Sequence, residues 1–191
     1  IISRAKNNLV LPGEFVTRTY LEEVASRVYE RYQQLLEDNN AVDFDDLLLW
    51  VVRLLADHPD VCIRYAQRFE HVLVDEFQDT NLAQYEIVRL LSSAHQNLFV
   101  VGDEDQSIYR WRGADYRNVL RFTSDYPQAR KILLEQNYRS TKNVLDVARA
   151  VIDQNKLRTP KALFTTRKAG LPIILYEAVD DYDEAAYVVD S

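Results

Sequence analysis

The chain has 191 residues, 47% of them apolar and 28% charged, with a net charge of −7 and a pI of about 5.0, the balance of an ordinary soluble globular protein. Its single cysteine, Cys62, excludes a disulfide framework or a thiolate metal cluster and fits a reducing, intracellular, cytoplasmic setting; His58, His71 and His95 are spread without metal-ligand spacing. No stretch approaches the roughly 20 apolar residues of a membrane span, and no signal-peptide pattern opens the chain.

The opening Ile1-Ile2-Ser3-Arg4 lacks an initiating Met in a chain with no Met at all, which hints at an excised piece; the alternative is an expression choice. Leu21, Val24, Val28, Tyr32 and Leu35 recur at spacings of three and four, which predicts an amphipathic helix over 14–37, after the turn signal Pro12-Gly13 and before Asn39-Asn40. Asp43 is a good N-cap for a helix from Phe44 to about Ala56, closed by His58-Pro59-Asp60. A short helix through Val61–Phe69 follows, in which Cys62, flanked by Val61 and Ile63, reads as a buried structural thiol. The pattern then changes to buried-strand runs at 71–74, 97–101 and 131–134, alternating with helices at 80–93, 114–124 and from Ser140 or Thr141 to about Gln154. Residues 155–171 read as loop, Pro172–Val179 as a last strand and 181–190 as an acidic helix. Alternating strands and helices imply right-handed crossovers and a parallel sheet, an α/β fold preceded by a helical segment.

Three of these strands end in ionisable clusters: Asp75-Glu76, Gly102-Asp103 and Glu135-Gln136-Asn137-Tyr138-Arg139. Ligands of open α/β sheets bind beyond the carboxyl ends of strands, so the clusters are expected to converge on one site. The paired acids point to a metal-bound ligand. A strand-terminal Asp75 suits Mg²⁺, a hard ion held by one or two carboxylates plus phosphates, and an adjacent Glu76 suits orienting or deprotonating a water. The alternative is that both acids cap the following helix. Charge is also uneven: residues 106–149 hold nine Lys and Arg against four acids, a net +5, while the remainder carries −12. A basic stretch inside an acidic chain is a nucleic-acid signal; the alternative is a solvated helix face. Within it, Tyr109-Arg110-Trp111-Arg112 interleaves aromatics with guanidiniums, which suits stacking on single-strand bases at about 1–3 kcal/mol each while cations follow the phosphates. If extended, the segment puts Tyr109 and Trp111 on one face; the alternative is a core Trp between exposed arginines.

The longer strings are more specific. Val74-Asp75-Glu76-Phe77-Gln78-Asp79-Thr80-Asn81, then 101–115 (VGDEDQSIYRWRGAD), then Leu134-Glu135-Gln136-Asn137-Tyr138-Arg139-Ser140-Thr141 resemble motifs II, III and IV of the UvrD/Rep/PcrA superfamily 1 DNA helicases, in order and at family spacing. Asp43-Phe44-Asp45-Asp46-Leu47-Leu48 is similar to the segment that re-enters the first motor domain there. The resemblance implies a RecA-like, P-loop NTPase-type parallel sheet with flanking helices, with residues 1–38 ending a helical 1B subdomain, 39–130 belonging to motor domain 1A and 131–191 starting motor domain 2A. It implies ATP and Mg²⁺ as cofactors, with Asp75 (and Glu76) at the metal, Glu76 as the base for water attack, Gln106 sensing the γ-phosphate, Tyr138 stacking on adenine and Arg139 acting as an arginine finger. Such an arginine is worth about 10³–10⁵ in rate. Tyr109, Trp111 and Arg112 would contact DNA. Without the motif, Tyr138 reads as core packing and Arg139 as a surface ion pair.

Gly13, Gly102, Gly113 and Gly170 are the only glycines and none precedes Lys, so the phosphate-wrapping Gly-Lys loop is not in these 191 residues. The expectation is a fragment of a 3′–5′ translocase of DNA repair or replication, acting on single strands and single-/double-strand junctions, inactive without the rest of its parent chain. Competing readings are a non-hydrolysing nucleic-acid-binding or scaffold module, and part of a helicase–nuclease subunit.

Overall fold

The computed structural model describes residues 1–155, 159 and 161–190, with residue 112 described by its backbone alone. The chain divides into two units, Ile1–Ala129 and Arg130–Ser191, each treated by itself.

The first unit is mainly helical. It opens with a helix that the periodicity did not reveal, α1 (Ile2–Asn7), followed by a 3-10 turn at Pro12–Glu14 and by α2 (Tyr20–Asp38). Helix α2 starts six residues later than the apolar spacing predicts, because Thr19 and Glu22 form a capping box: Thr19 Oγ1 accepts from the Glu22 amide at 3.2 Å and Glu22 Oε2 from the Thr19 amide at 3.0 Å. Asp43 caps α3 (Phe44–Asp57) as expected, its Oδ1 accepting from the Asp46 amide at 2.8 Å. Pro59 occupies the first position of α4 (Pro59–Arg68), where its missing N–H costs nothing. Helix α3 is the centre of the core. Its Leu49, Val52 and Leu55 are buried as it packs on α1, α4 and α5 (Leu82–Leu91), and Cys62 and Ala66 of α4 close the layer. Cys62 is a buried thiol, as expected, with Sγ 3.6 Å from the Leu90 carbonyl.

The strands are β1 (Val72–Val74) and β2 (Leu98–Val100), which pair in parallel with Val72 opposite Leu98 and Val74 opposite Val100. Each has one half-buried face, and the other exposes Leu73 at 73% and Phe99 at 58%, so the sheet is covered on one side only. Helix α6 (Arg117–Asp125) follows, its Phe122 ring packed edge-on against Phe77 at 5.6 Å.

The second unit departs from expectation. The run 131–134 and the run 172–179 form no strand, and Ile132, Leu134, Ile174 and Leu175 are exposed. A strand needs a neighbour for its N–H and C=O groups, and among the described residues neither run has one. Pairing reduces to a single parallel bridge, Gln136 with Phe164, carried by Asn137 N–H to the Phe164 carbonyl at 2.7 Å and Phe164 N–H to the Glu135 carbonyl at 2.9 Å. Helices α7 (Lys142–Ile152) and α8 (Asp181–Asp190) form within the segments that the sequence assigns to helix, α7 a little shorter than expected. The architecture is therefore mixed: helices with a two-stranded parallel sheet among the described residues.

Candidate functional site

At the carboxyl end of β1 the chain bends. Glu76 adopts φ +50°, the left-handed region that L-residues with a Cβ avoid, and the Asp75 carboxylate accepts from the Glu76 amide at 2.9 Å across the bend. Hydrogen bonds continue past the strand ends, Val101 N–H to the Val74 carbonyl at 2.8 Å and Phe77 N–H to the Val101 carbonyl at 2.9 Å. The loops leaving both strands are thus zipped side by side. Asp75 and Glu76 remain exposed. Neither side chain caps a helix: Glu76 precedes the 3-10 turn Phe77–Asp79 without a side-chain cap bond, and α5 is capped by Asn81, whose side chain accepts from the Gln84 amide at 2.8 Å. The capping alternative falls. Two exposed carboxylates at a strand end offer hard oxygen donors that fit a divalent cation sharing its shell with water and phosphate. Among the described residues no group of three or more His, Cys, Asp or Glu could hold a metal by itself.

The loop leaving β2 carries Gln106. Asp103 caps the 3-10 turn Glu104–Gln106, accepting from the Asp105 amide at 3.1 Å, and its other oxygen accepts from the Gln106 side-chain amide at 2.7 Å. The buried side chain of Gln78 joins this loop to the acids. It donates to Glu76 Oε2 at 2.8 Å and accepts from the Asp103 amide at 2.9 Å.

The aromatic-basic segment is not extended. Arg110–Arg112 form a 3-10 turn, in which successive side chains are about 120° apart, so Tyr109 and Trp111 do not share a face as an extended chain would have it. Trp111 is 75% exposed, which removes the core-Trp alternative. The side chain of Arg112 lies outside the described residues. Gly113, at φ +93°, ends the turn, with the Asn7 side chain 3.6 Å from where a Cβ would stand. The segment is anchored beyond that turn: Asp115 N–H donates to the Thr80 carbonyl at 3.0 Å, and the buried Asn118 amide donates to the Thr80 and Asn81 carbonyls at 2.9 and 3.1 Å. Partial burial works to raise the Asp115 pKa, but the Arg117 guanidinium and amide outweigh it and hold the carboxyl below its usual range.

In the second unit, Asn137 accepts from the amides of Arg139 at 3.0 Å and Ser140 at 2.7 Å, a turn that leads into α7. Tyr138 is 76% exposed, its hydroxyl donating to Gln136 at 2.9 Å, so it is no core residue. Arg139 is also exposed, and its carbonyl accepts from the Arg167 guanidinium; among the described residues its own guanidinium makes no ion pair. Asp75, Glu76 and Gln106 are thus joined within the first unit, with Tyr109 and Trp111 on the same loop as Gln106, and Tyr138 and Arg139 belong to the second.

Residues 1–127 match the UvrD/REP helicase N-terminal domain, and residues 132–191 the UvrD-like helicase C-terminal domain. The chain belongs to the UvrD/Rep helicase family. It is 47% identical to proteins named ATP-dependent DNA helicase PcrA from Leuconostoc citreum, over 100% of this chain, and from Staphylococcus epidermidis and Staphylococcus aureus, over 98% of it. In each case the chain spans 26% of the relative's length.

Within this UvrD/Rep chain, three buried polar residues are not marked out by the sequence alone. Gln78 and Asn118 are buried amides in polar stretches, and nothing in periodicity separates them from surface residues. Lys6 is wholly buried between α1 and α3. Its only sequence signal is the absence of an obvious partner nearby, and the partners Asp43 and Asp46 lie 37 residues or more away. No described helix is long and apolar enough to cross a membrane.

Proposed function

We propose that the protein carrying this chain is an ATP-dependent DNA helicase that couples Mg-ATP hydrolysis to 3′–5′ movement on single-stranded DNA and at single-/double-strand junctions, inside the cell, in repair or replication. The observation that carries this reading is the hydrogen-bonded path from the exposed Glu76 carboxylate through Gln78 and Asp103 to Gln106. It links two strand-end loops of a parallel sheet, which is where such a fold binds ligands. The relatives' names supply the activity class.

On this reading residues 1–38 end a 1B subdomain, 39–130 belong to a RecA-like motor domain 1A and 131–191 begin motor domain 2A. Asp75, with Glu76 beside it, would hold Mg²⁺, which when bound neutralises charge on the nucleotide phosphates. Glu76 takes the proton from the attacking water. Gln106 answers to the terminal phosphate, and its loop continues directly into Tyr109, Trp111 and Arg112, the DNA contacts. Tyr138 stacks on adenine, and Arg139 neutralises the charge that develops on the transferred phosphoryl group. A scaffold without hydrolysis needs none of these exposed, positioned groups together.

In the full-length protein, Glu76→Gln is expected to abolish single-strand-stimulated ATP hydrolysis while ATP binding persists. The 191-residue chain alone is expected to show negligible ATPase, because the phosphate-wrapping loop is not among its residues, and to bind single strands weakly at physiological salt. Robust DNA-stimulated turnover by the isolated chain, or unchanged turnover in full-length Glu76→Gln, would overturn the reading.

A further inference from the structure

Gln78 has an unusual combination of surroundings. Its side chain is 1% exposed, yet it donates to a carboxylate that is exposed and carried on a left-handed backbone. The amide head is used at both ends. Nε2 donates to Glu76 Oε2 at 2.8 Å and, more weakly, to Asp79 Oδ2 at 3.4 Å, Oε1 accepts from the Asp103 N–H at 2.9 Å, and the main-chain carbonyl of Gln78 accepts from Ser107 Oγ at 3.4 Å. An ionised carboxylate only accepts and a backbone N–H only donates, so the bridging group must present one donor and one acceptor on a single planar head. Glutamine does this. Glutamate presents two acceptors and sets a second negative charge against Glu76; methionine presents neither partner. The same logic fixes which end of the amide is nitrogen.

Gly102 keeps the path open. A Cβ there would lie 2.7 Å from Gln78 Oε1 and 3.2 Å from the Phe77 amide, so any side chain would displace either the bridge or the backbone that carries it. From Asp103 the path runs on to Gln106, through a 2.7 Å bond to its side chain and a 2.9 Å bond to its amide.

We infer that Gln78 is a positioning residue: it holds the Glu76 carboxylate in place for the attacking water and ties that placement to the loop bearing Gln106, so that a shift of either loop is felt by the other. This rests on the reading of Glu76 as the base. A purely structural glutamine would stabilise the turn, and its loss would show in the thermal melt. A positioning glutamine acts on kcat while KM for ATP stays in place.

The test uses the full-length protein and measures kcat and KM for ATP at saturating single-stranded DNA. Gln78→Met is expected to lower kcat by about 10- to 100-fold, the usual cost of a loosened supporting contact, with KM little changed. Gln78→Glu keeps the shape but presents an acceptor where the Glu76 carboxylate needs a donor, and is expected to lower kcat to a similar degree, again with KM little changed. Unchanged kcat in both variants, while Glu76→Gln is inactive, would overturn the inference and leave the base assignment standing. Full activity of Glu76→Gln would overturn the base assignment itself. If Gln78→Met does not fold, as its thermal melt would reveal, kcat and KM of Gln78→Glu decide alone.

Discussion

Lys6 has no exposure to water at the junction of α1 and α3, and its ammonium lies 2.8 Å from both Asp43 Oδ2 and Asp46 Oδ1. Tyr32 adds a hydroxyl donor to Asp43 at 2.9 Å. Removing one member of a buried ion cluster strands the others, at about 3–5 kcal/mol. Lys6→Met is therefore expected to lower the stability of the first unit by that amount, read as a fall in the urea midpoint; a loss under about 1 kcal/mol would contradict it. The same cluster predicts a pH response. Partial burial works to raise the Asp43 pKa, but Lys6, the Asp46 amide and Tyr32 outweigh it, so the folded value lies below that of the unfolded chain. Its contribution is fully present above the unfolded aspartate value of about 3.9 and is lost as pH falls through the lower folded value. Asp43→Asn is expected to flatten the acid side of the stability–pH curve, with part of the slope remaining from Asp115, whose carboxyl is also held low.

At the scale of elements, the loops are held by side chains that cap or bridge more than by the short strands. Asn81 starts α5 through a reciprocal capping box with Gln84, and its amide also donates to the buried Asn7 side chain on α1. Asn7 in turn donates to Asp45 at 2.9 Å. One residue therefore joins the helix after the acids to the helix that opens the chain. Asn81→Ala is expected to cost about 1–2 kcal/mol for the cap, and more if the orphaned Asn7 finds no new partner. Asn81→Ser keeps a capping oxygen and is expected to recover part of that loss in the same denaturation experiment. Equal destabilisation by both would assign the effect to the Asn7 contact alone.

At the scale of the whole molecule, the outer face of the β1–β2 pair and the apolar runs of the second unit present Leu73, Phe99, Ile132, Leu134, Ile174 and Leu175 to water. Unpaired edges and uncovered apolar faces promote association. The isolated 191-residue chain is expected to self-associate with rising concentration, and Leu73→Thr with Phe99→Thr to reduce that tendency. Sedimentation velocity giving a single monomeric species for the isolated 191-residue chain at every concentration would contradict the prediction.

The amino-acid order by itself determined what depends on neighbours close along the chain. Asp43 caps α3, the apolar spacing locates the body of α2, and Asp75, Glu76, Gln106 and Arg139 stand out because their strings are specific. Contacts distant in sequence were decided only by the tertiary structure. The run 131–134 has strand character but no partner among the described residues, and strand character without a partner does not make a strand. Trp111 and Tyr109 part company because a 3-10 turn, closed by Gly113, replaces the extended chain. Gln78 and Lys6 acquire their roles from groups 25 and 37 residues away, and only folding brings those groups within hydrogen-bond reach.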